Sequence, residues 1–180
     1  MMEHGQDVAR LEALLGVERA ALLARFHAVP AAARIVAPAG GGWSAAEVVQ
    51  HVARVEAGVV KMLGAGSTMA RTATAEELTA AQWSERKAHI VRDRTVKVQA
   101  PERTHPRDAV DADAVVAQVT QSREALLAAF RAADAAVLDG VTFPHPFIGE
   151  LTLRAWVELV AHHEPRHAEQ LAELAPHTGG

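Results

Sequence analysis

The chain is organised around residues 156–171, which read Trp-Val-Glu-Leu-Val-Ala-His-His-Glu-Pro-Arg-His-Ala-Glu-Gln-Leu. We predict that this stretch lies in the last of several long helices, and it carries His163 and His167 four positions apart. Residues four apart on an α-helix lie one above the other on the same face, so the two imidazoles can converge on a single point. Such a point suits a metal ion.

A third histidine strengthens this interpretation. A pair of histidines four apart is weak evidence by itself in a chain of 180 residues that contains ten histidines. His51, however, lies on the apolar face of another predicted helix, beside Val48, Val52 and Val55. A lone imidazole would be poorly solvated there, so we expect His51 to have a partner.

The length and composition of the chain indicate an all-α protein. We expect a single domain over residues 1–180 with short disordered ends, because this length is enough for one sizeable core. Alanine is abundant, tyrosine is absent, and aromatic residues make up 4% of the chain. This composition favours helix over sheet.

Charge, hydropathy and cysteine content exclude several classes of function. The net charge is −4 with acids and bases interspersed, so we expect no nucleic-acid partner. We find no apolar run long enough for a membrane span and no signal peptide, and we therefore expect a cytoplasmic protein with no membrane partner. Because the chain has no cysteine, any thiol chemistry requires a thiol from outside.

Hydrophobic periodicity predicts four long helices that form a bundle. Ser44-Ala-Ala-Glu47 is a capping box that marks the start of the second helix, and this role accounts for Glu47 without a catalytic one. Glu12, Glu18, Arg19 and Arg25 are expected on the solvent face of the first helix. We place the four helices at about residues 6–29, 45–63, 112–136 and 152–174, followed by a frayed tail at Gly179 and Gly180.

A long insertion is predicted between the second and third bundle helices. Thr74-Ala-Glu-Glu77 repeats the capping-box pattern and opens a helical stretch to Val91 or Arg94, which we expect to lie beside the bundle. Residues 99–107 then contain two prolines and no hydrophobic period, which indicates irregular structure. Nearer the end, residues 137–150 contain Phe143-Pro-His-Pro-Phe-Ile-Gly149, which is predicted to form a rigid, proline-rich loop whose aromatics can line the mouth of a cavity.

Three blocks of this sequence resemble the DinB-like superfamily, whose members are also described as YfiT-like metalloenzymes. The first block is Gly42-Trp43-Ser44 with Glu47-Val-Val-Gln-His51-Val, and the second is Phe-Pro-His-Pro-Phe-Ile-Gly-Glu-Leu-Thr-Leu-Arg-Ala-Trp at residues 143–156. The third is His163-x-x-x-His167-x-x-Gln170-Leu. The blocks occur in the family's order and approximate spacing, and together they cover most of the chain.

The resemblance implies a four-helix bundle with an unusual crossover, frequently a homodimer, that holds a divalent metal. Carried over to this chain, the three ligands are His51, His163 and His167, and zinc or nickel suits them best. Family members with known activity include thiol-dependent transferases and isomerases that use low-molecular-weight bacterial thiols, and proteins labelled metal-dependent hydrolases. We therefore expect an S-transferase or related hydrolase acting on a small molecule. The alternative is a non-catalytic metal-binding or dimerisation protein.

One residue departs from the family pattern, which usually keeps an unbroken helix between the last two histidines. Pro165 lacks an N–H, and its ring clashes with the carbonyl of Ala161, at a cost of about 3 kcal/mol in a helix interior. Either the helix is kinked here, or a new helix begins with Pro165 at its first position. We favour the kink, because metal coordination and bundle packing can hold both rings together.

Other residues near the predicted site have two interpretations. His162 points about 100° away from His163 around the helix, which favours a surface or supporting role. Gln170 lies on the face of His163, where it can hydrogen-bond a ligand or simply pack. Glu164 and Arg166 are expected on a solvated face.

The segments that can cover the open end of the bundle contain candidate substrate contacts. A fourth ligand from His105 or Glu164 would favour the non-catalytic alternative, whereas an open metal facing a cavity would favour an enzyme. Five cations in the insertion can receive an anionic substrate or form a solvated loop, with Asp93, Glu102 and Asp108 as the balancing acids. The candidate contacts are Trp83, His89, His105, His145 and Phe147, and the cations are Arg92, Arg94, Lys97, Arg103 and Arg107.

Overall fold

The computed structural model describes residues 2–107 and 110–175. The frayed tail predicted at Gly179 and Gly180 lies outside these residues. Within the described residues the chain forms helices and one small antiparallel sheet. The α-helices are α1 (Met2–Ala28), α2 (Ala45–Gly66), α3 (Ala75–Ala81), α4 (Glu85–Arg92), α5 (Ala112–Ala132), α6 (Ala135–Gly140) and α7 (Leu153–Leu174), the 3-10 helices are Ala31–Ala33 and Glu102–Thr104, and the strands are β1 (Thr142–His145) and β2 (Gly149–Thr152).

The four long helices α1, α2, α5 and α7 form the bundle. Helix α2 packs along α5 and α7, and α1 packs along α7. The four-helix bundle with a long insertion between its second and third helices is therefore confirmed. Apolar side chains fill two regions of the interior, one around Phe130 and Val157 and the other around Phe26 and Leu171.

The start of α2 follows the predicted capping box. The Glu47 backbone N–H donates to the Ser44 hydroxyl at 3.3 Å, and the Ser44 backbone N–H donates to the Glu47 carboxylate at 2.7 Å. The end of α2 lies three residues beyond the predicted one, at Gly66. A side chain at Gly66 would collide with Leu153, so this glycine permits close packing of α2 against the start of α7. The expectation that the glycines after residue 63 would end the helix there is therefore wrong.

The insertion and the loop before α7 differ from the prediction. The single helical stretch expected after Thr74 is two helices, α3 and α4, because Gln82 adopts an extended backbone and the Ser84 hydroxyl caps a new helix. Residues 137–150 contain the end of α6 and a hairpin instead of a loop, with Phe143 paired to Leu151. Gly149 has a φ of +79°, a conformation that glycine adopts without strain at the turn.

Four charged side chains form a buried cluster at the centre of the bundle, which we call the charge cluster: Arg19, Glu56, Arg123 and Glu164. Each comes from a different bundle helix, and together they lie between the two apolar regions. An Arg19 Nη atom lies 2.8 Å from Glu164 and 3.0 Å from Glu56, Arg123 Nε lies 2.7 Å from Glu56, and Arg123 also donates to Glu164. Two acids and two bases therefore compensate one another in a region that is almost fully shielded from water.

This cluster corrects two predictions. Arg19 was expected on the solvent face of α1, and Glu164 was expected on a solvated face of the last helix. The two residues are 8% and 0% exposed, because each finds partners of opposite charge inside the bundle. Desolvating a charge is unfavourable unless it is paired and hydrogen-bonded, and the cluster supplies both kinds of partner.

Helix α7 runs unbroken through Pro165, so the alternative in which a new helix begins there is wrong. The kink stays a prediction. No helix in the described part of the chain combines the length and apolar character that crossing a membrane requires.

Candidate metal centre

His51, His163 and His167 lie together inside the bundle. One nitrogen of each ring lies within 4.8 Å of the other two. The Nε2 atom of His163 is 3.3 Å from Nε2 of His51 and 2.9 Å from Nε2 of His167. His51 and His167 are buried, and His163 is partly exposed.

Local structure fixes the position of each ring along its helix. The capping box at Ser44 sets the start of α2, which places His51 two turns into the helix on its buried face. The Thr152 hydroxyl accepts a hydrogen bond from the Ala155 backbone N–H at 3.1 Å and so sets the start of α7. From that start, His163 and His167 fall one above the other on the face that meets α2.

The Nδ1 atoms of His51 and His167 each lie at hydrogen-bonding distance from an oxygen acceptor. His51 Nδ1 lies 2.8 Å from the carbonyl oxygen of Thr104, and His167 Nδ1 lies 2.9 Å from the side-chain oxygen of Gln170. A carbonyl oxygen only accepts, so both Nδ1 atoms carry the proton and both Nε2 atoms present a lone pair. Gln170 thus contacts a predicted ligand, which is one of the two roles expected for it.

The proton count at the centre of the three rings favours a cation. A neutral His163 has at most one proton on Nε2, and it can donate that proton to only one of its two neighbours. At least one lone pair therefore faces the centre of the three rings without a donor, and all three do if His163 carries its proton on Nδ1. A divalent cation would satisfy all three nitrogens, so the residues present fit a metal ion.

Burial keeps the three imidazoles uncharged at neutral pH. Burial lowers the pKa of His51 to about 4, despite the hydrogen bond to Thr104, which acts in the opposite direction. Burial holds the pKa of His163 and of His167 well below the usual range, and the next cause is the neighbouring rings, which are His167 and His51 for His163 and His51 for His167. The neutral form is the one that binds metal, so these rings do not have to lose a proton at pH 7.

The three rings face a cavity of about 1040 Å³. All three histidines line it, together with residues of the insertion and the β1–β2 hairpin. A metal ion held by these nitrogens would therefore adjoin a space large enough for a small molecule. Its apolar walls include Val55, Met62, Phe143, Ile148, Trp156 and Leu159.

The candidate contacts from the sequence divide into two groups. His105, His145 and Phe147 line the cavity, whereas Trp83 and His89 are not among the described residues that line it. His105 Nε2 donates to the Ala100 carbonyl at 2.7 Å, and His145 Nδ1 accepts from the Phe147 backbone N–H at 3.3 Å. Burial lowers the pKa of His145 to about 4.

A fourth protein ligand is absent from the described part of the chain. The group of potential ligand atoms there contains the three histidines alone. Glu164 is engaged in the charge cluster on another side of α7, and His105 lies outside the group. The arrangement in which His105 or Glu164 closes the site is therefore not seen.

His162 points away from the three rings, as expected from its place on the helix. Its ring stacks on Trp83 with centroids 5.1 Å apart, and its Nε2 lies 3.9 Å from the Glu158 carboxylate. Burial lowers the pKa of His162 to about 4. His162 is half-buried against the insertion, so it supports the packing of α7 and contributes no nitrogen to the centre.

The insertion is tied to α7 as well as to His51. Arg166, expected on a solvated face, is partly buried and donates to the carbonyls of Asp93 and Val96. Arg94 forms an ion pair with Glu173 at 2.7 Å. The role of Thr104 could not be predicted from the sequence, because a backbone carbonyl leaves no side-chain signature. The prolines on either side of residues 102–105 were the available signal that this segment holds a fixed shape.

Comparison with known proteins identifies the family. The family model of the DinB superfamily matches residues 14–171, so the chain belongs to this superfamily and the predicted resemblance is confirmed. The uncharacterized protein YuaE of Bacillus subtilis strain 168 is 29% identical over 138 residues, which are 76% of this chain and 80% of that protein. The crystal structure of TT2238, a four-helix bundle protein, aligns with this chain with a TM-score of 0.58 at 23% sequence identity. The alignment covers 92% of this chain and 98% of TT2238, and this similarity supports the fold.

Proposed function

We propose that this chain is a metal-dependent enzyme in which His51, His163 and His167 bind one divalent cation, zinc or nickel, beside a small-molecule site. The convergence of three neutral Nε2 atoms on one point at the wall of a cavity supports this proposal above all. Three protein ligands with an open position are typical of catalytic zinc sites, whereas structural sites are closed by four.

The nitrogen ligands limit the metal and its chemistry. Imidazole suits zinc, nickel, copper and iron, and the absence of cysteine removes thiolate ligands. When bound, a divalent cation supplies Lewis-acid chemistry that makes an oxygen or sulfur nucleophile available near neutral pH. Thr104 and Gln170 orient two of the rings, and the apolar walls restrict water around the reacting molecule.

For the reaction we propose thiol-dependent S-transfer, with hydrolysis as the related possibility. In S-transfer, the sulfur of an external thiol forms a bond to an electrophilic carbon, that carbon loses its leaving group, and the thiol proton passes to solvent. In hydrolysis, water takes the place of the thiol. The chain has no cysteine of its own, so the S-transferase requires a low-molecular-weight thiol as cosubstrate.

A second candidate is a non-catalytic metal-binding or dimerisation module. His51 belongs to α2 and the other two histidines belong to α7, so one cation would link two helices of the bundle. The cavity beside the rings favours the enzyme, because a purely structural ion does not need access to a space of this size.

Metal binding can be tested first. After chelator treatment, the wild-type protein should bind about one zinc or nickel ion per chain, measured by calorimetry and elemental analysis. His163→Ala should abolish tight binding, whereas His89→Ala, an exposed histidine outside the cavity, should leave it unchanged. Failure of the wild type to bind, or unchanged binding in His163→Ala, would exclude the proposal.

The reaction can then be separated from the alternatives. The metal-loaded protein is incubated with electrophilic substrates in the presence and absence of bacterial thiols, and products are measured by mass spectrometry. Product that requires the thiol supports S-transfer, and product formed equally without it eliminates the transferase. Metal binding without turnover in either arm would favour the non-catalytic module.

A further inference from the structure

The charges that line the cavity are unlike those of the whole chain. The whole chain has 22 acidic and 18 basic residues, with a net charge of −4. The cavity is lined instead by five lysine or arginine side chains and one carboxylate, Glu173. The positive charge is therefore a local property of this cavity. The five cations are Lys61, Arg94, Lys97, Arg103 and Arg166.

Two of these cations are committed to the protein itself. Arg94 is paired with Glu173, and Arg166 donates to two backbone carbonyls of the insertion. For Lys61, Lys97 and Arg103, by contrast, no carboxylate among the described residues lies at ion-pairing distance. Asp108, one of the acids expected to balance this region, lies outside those residues. Three cations therefore face the cavity with their charge uncompensated by the described chain.

Arg103 is the cation that the fold connects most closely to the three histidines. The next residue, Thr104, accepts the hydrogen bond from His51, and the carbonyl of Arg103 itself accepts one from Arg54 at 2.7 Å. These two bonds hold the backbone of Arg103 beside α2. Arg103 lines the cavity, and its positive charge contributes to the lowered pKa of His145, another residue of the lining.

The remaining walls of the cavity are largely apolar. Met62, Phe143 and Trp156 are among the residues that line it. A ligand charged along its whole length would place polar groups against these apolar walls, whereas a purely apolar ligand would bury the cations without a partner of opposite charge. The lining matches a molecule with one anionic end and one apolar part.

We propose that the cavity binds a small organic anion whose carboxylate contacts Arg103 and Lys97 while its apolar part lies against the walls beside the three histidines. A planar guanidinium can form two parallel hydrogen bonds to a carboxylate, and Lys97, which lines the same cavity, adds positive charge. This proposal rests on the function proposed above only in placing the reacting end of the ligand beside the three histidines. The binding of the anionic end depends on the cavity alone.

Octanoate and 1-octanol are suitable probes, because they have equal chain lengths and differ in charge. Binding is followed by the intrinsic fluorescence of Trp43 and Trp156, which line the cavity, in both zinc-loaded and chelator-treated protein. Octanoate should bind about tenfold more tightly than octanol in both forms. Equal binding of the two probes would overturn the proposal.

Substitution of Arg103 tests whether this residue causes the preference for octanoate over octanol. Arg103→Gln should weaken octanoate about fivefold and leave octanol unchanged, Arg103→Lys should retain most of the affinity, and adding Lys97→Gln should weaken octanoate further. Arg25→Gln is the matched control, because Arg25 is an exposed arginine outside the cavity. Arg103 is also exposed, so its variants should fold, which thermal unfolding checks. An equal effect of Arg103→Gln and Arg25→Gln would overturn the proposal.

The two metal states separate this proposal from the function on which it rests. Charge-selective binding that depends on Arg103 in chelator-treated protein supports the anion site even if zinc does not bind. Zinc binding without any preference for octanoate over octanol overturns the anion site and leaves the metal site intact. A preference that appears with zinc alone and is unaffected by Arg103→Gln assigns the carboxylate to the metal and also overturns this proposal.

Discussion

The Nδ1 atom of His51 lies 2.8 Å from the backbone carbonyl oxygen of Thr104. A ring on the second bundle helix is thus oriented by the insertion that follows it. The helical stretch after Thr74 was expected to lie beside the bundle, and the segment that contains His105 was expected to cover its open end. The contact from Thr104 places this second segment directly at the candidate site. Outer partners of this kind fix the tautomer and orientation of a metal-binding histidine, and their loss typically weakens metal binding.

Gln170 gives a direct test of such a partner. Gln170→Ala removes the acceptor that holds the Nδ1 proton of His167, and we expect zinc affinity to fall by about 10- to 100-fold. Competition with a chromogenic chelator measures this affinity. Gln118→Ala, at an exposed position on α5, is the control and should leave the affinity unchanged. An unaltered affinity in Gln170→Ala would show that this hydrogen bond does not support the ligand.

Glu164 should be essential to the stability of the bundle. Glu164→Gln leaves Arg19 and Arg123 buried with one carboxylate between them, and we expect the free energy of unfolding to fall by about 3 to 5 kcal/mol. Urea denaturation measures the change. Glu169→Gln on the exposed side of the same helix should change stability by less than about 0.5 kcal/mol. Equal stability of the two variants would mean that the charge cluster contributes nothing.

Acid should destabilise the metal-free protein through its buried histidines. Burial lowers the pKa of His51 to about 4, whereas the unfolded chain has the ordinary value of 6.5. Between these values the unfolded state binds more protons, so the free energy of unfolding falls as the pH decreases through this range. For His51, the loss between pH 7 and pH 5 is about 2 kcal/mol.

Urea denaturation in the presence of chelator, at pH 7 and pH 5, tests this expectation. His51→Gln should lose about 2 kcal/mol less than the wild type between the two pH values, since its side chain does not titrate. His27→Gln, at an exposed histidine, should follow the wild type. The same pH dependence in His51→Gln and the wild type would contradict the buried, neutral state of His51.

Pro165 allows stability to be separated from metal binding. Pro165→Ala restores an N–H that can bond to the Ala161 carbonyl, and the free energy of unfolding should rise by up to about 3 kcal/mol. His163 and His167 remain four apart on a continuous helix, so zinc affinity should not change. Thermal unfolding and zinc titration of the same variant measure the two effects. Loss of zinc binding would show that the proline positions the rings.

Local signals in the sequence predicted much of the bundle and the inward faces of the three histidines, and the resemblance to the DinB-like superfamily grouped the three at one site. The capping box of Ser44 and Glu47 sets the start of α2, and helical spacing then places His51, like His163 and His167, on an inward face. Their role as metal ligands stays a prediction. The hairpin before α7 was missed because its strands are four residues each, too short for a clear alternating pattern.

The burial of the charge cluster could not be predicted from the spacing of residues along any one helix. Charged residues are assigned to solvent unless a partner is known, and Arg19 and Glu164 are 145 positions apart in the chain. The contact between His51 and Thr104 was equally hidden, because it involves a backbone atom from a segment with no hydrophobic period. Both depend on how distant segments meet.

Helix α7 turns His163 toward the cavity and its neighbour Glu164 toward the charge cluster. Adjacent residues are separated by about 100° around a helix, so deleting one residue before His163 would carry Glu164 to the place of His163 and Pro165 to the place of Glu164. A carboxylate would then enter the cavity, and the guanidinium groups of Arg19 and Arg123 would lose one of their two carboxylate partners. The register of this helix should therefore tolerate no change in length, whereas surface loops elsewhere in the chain can accept insertions and deletions.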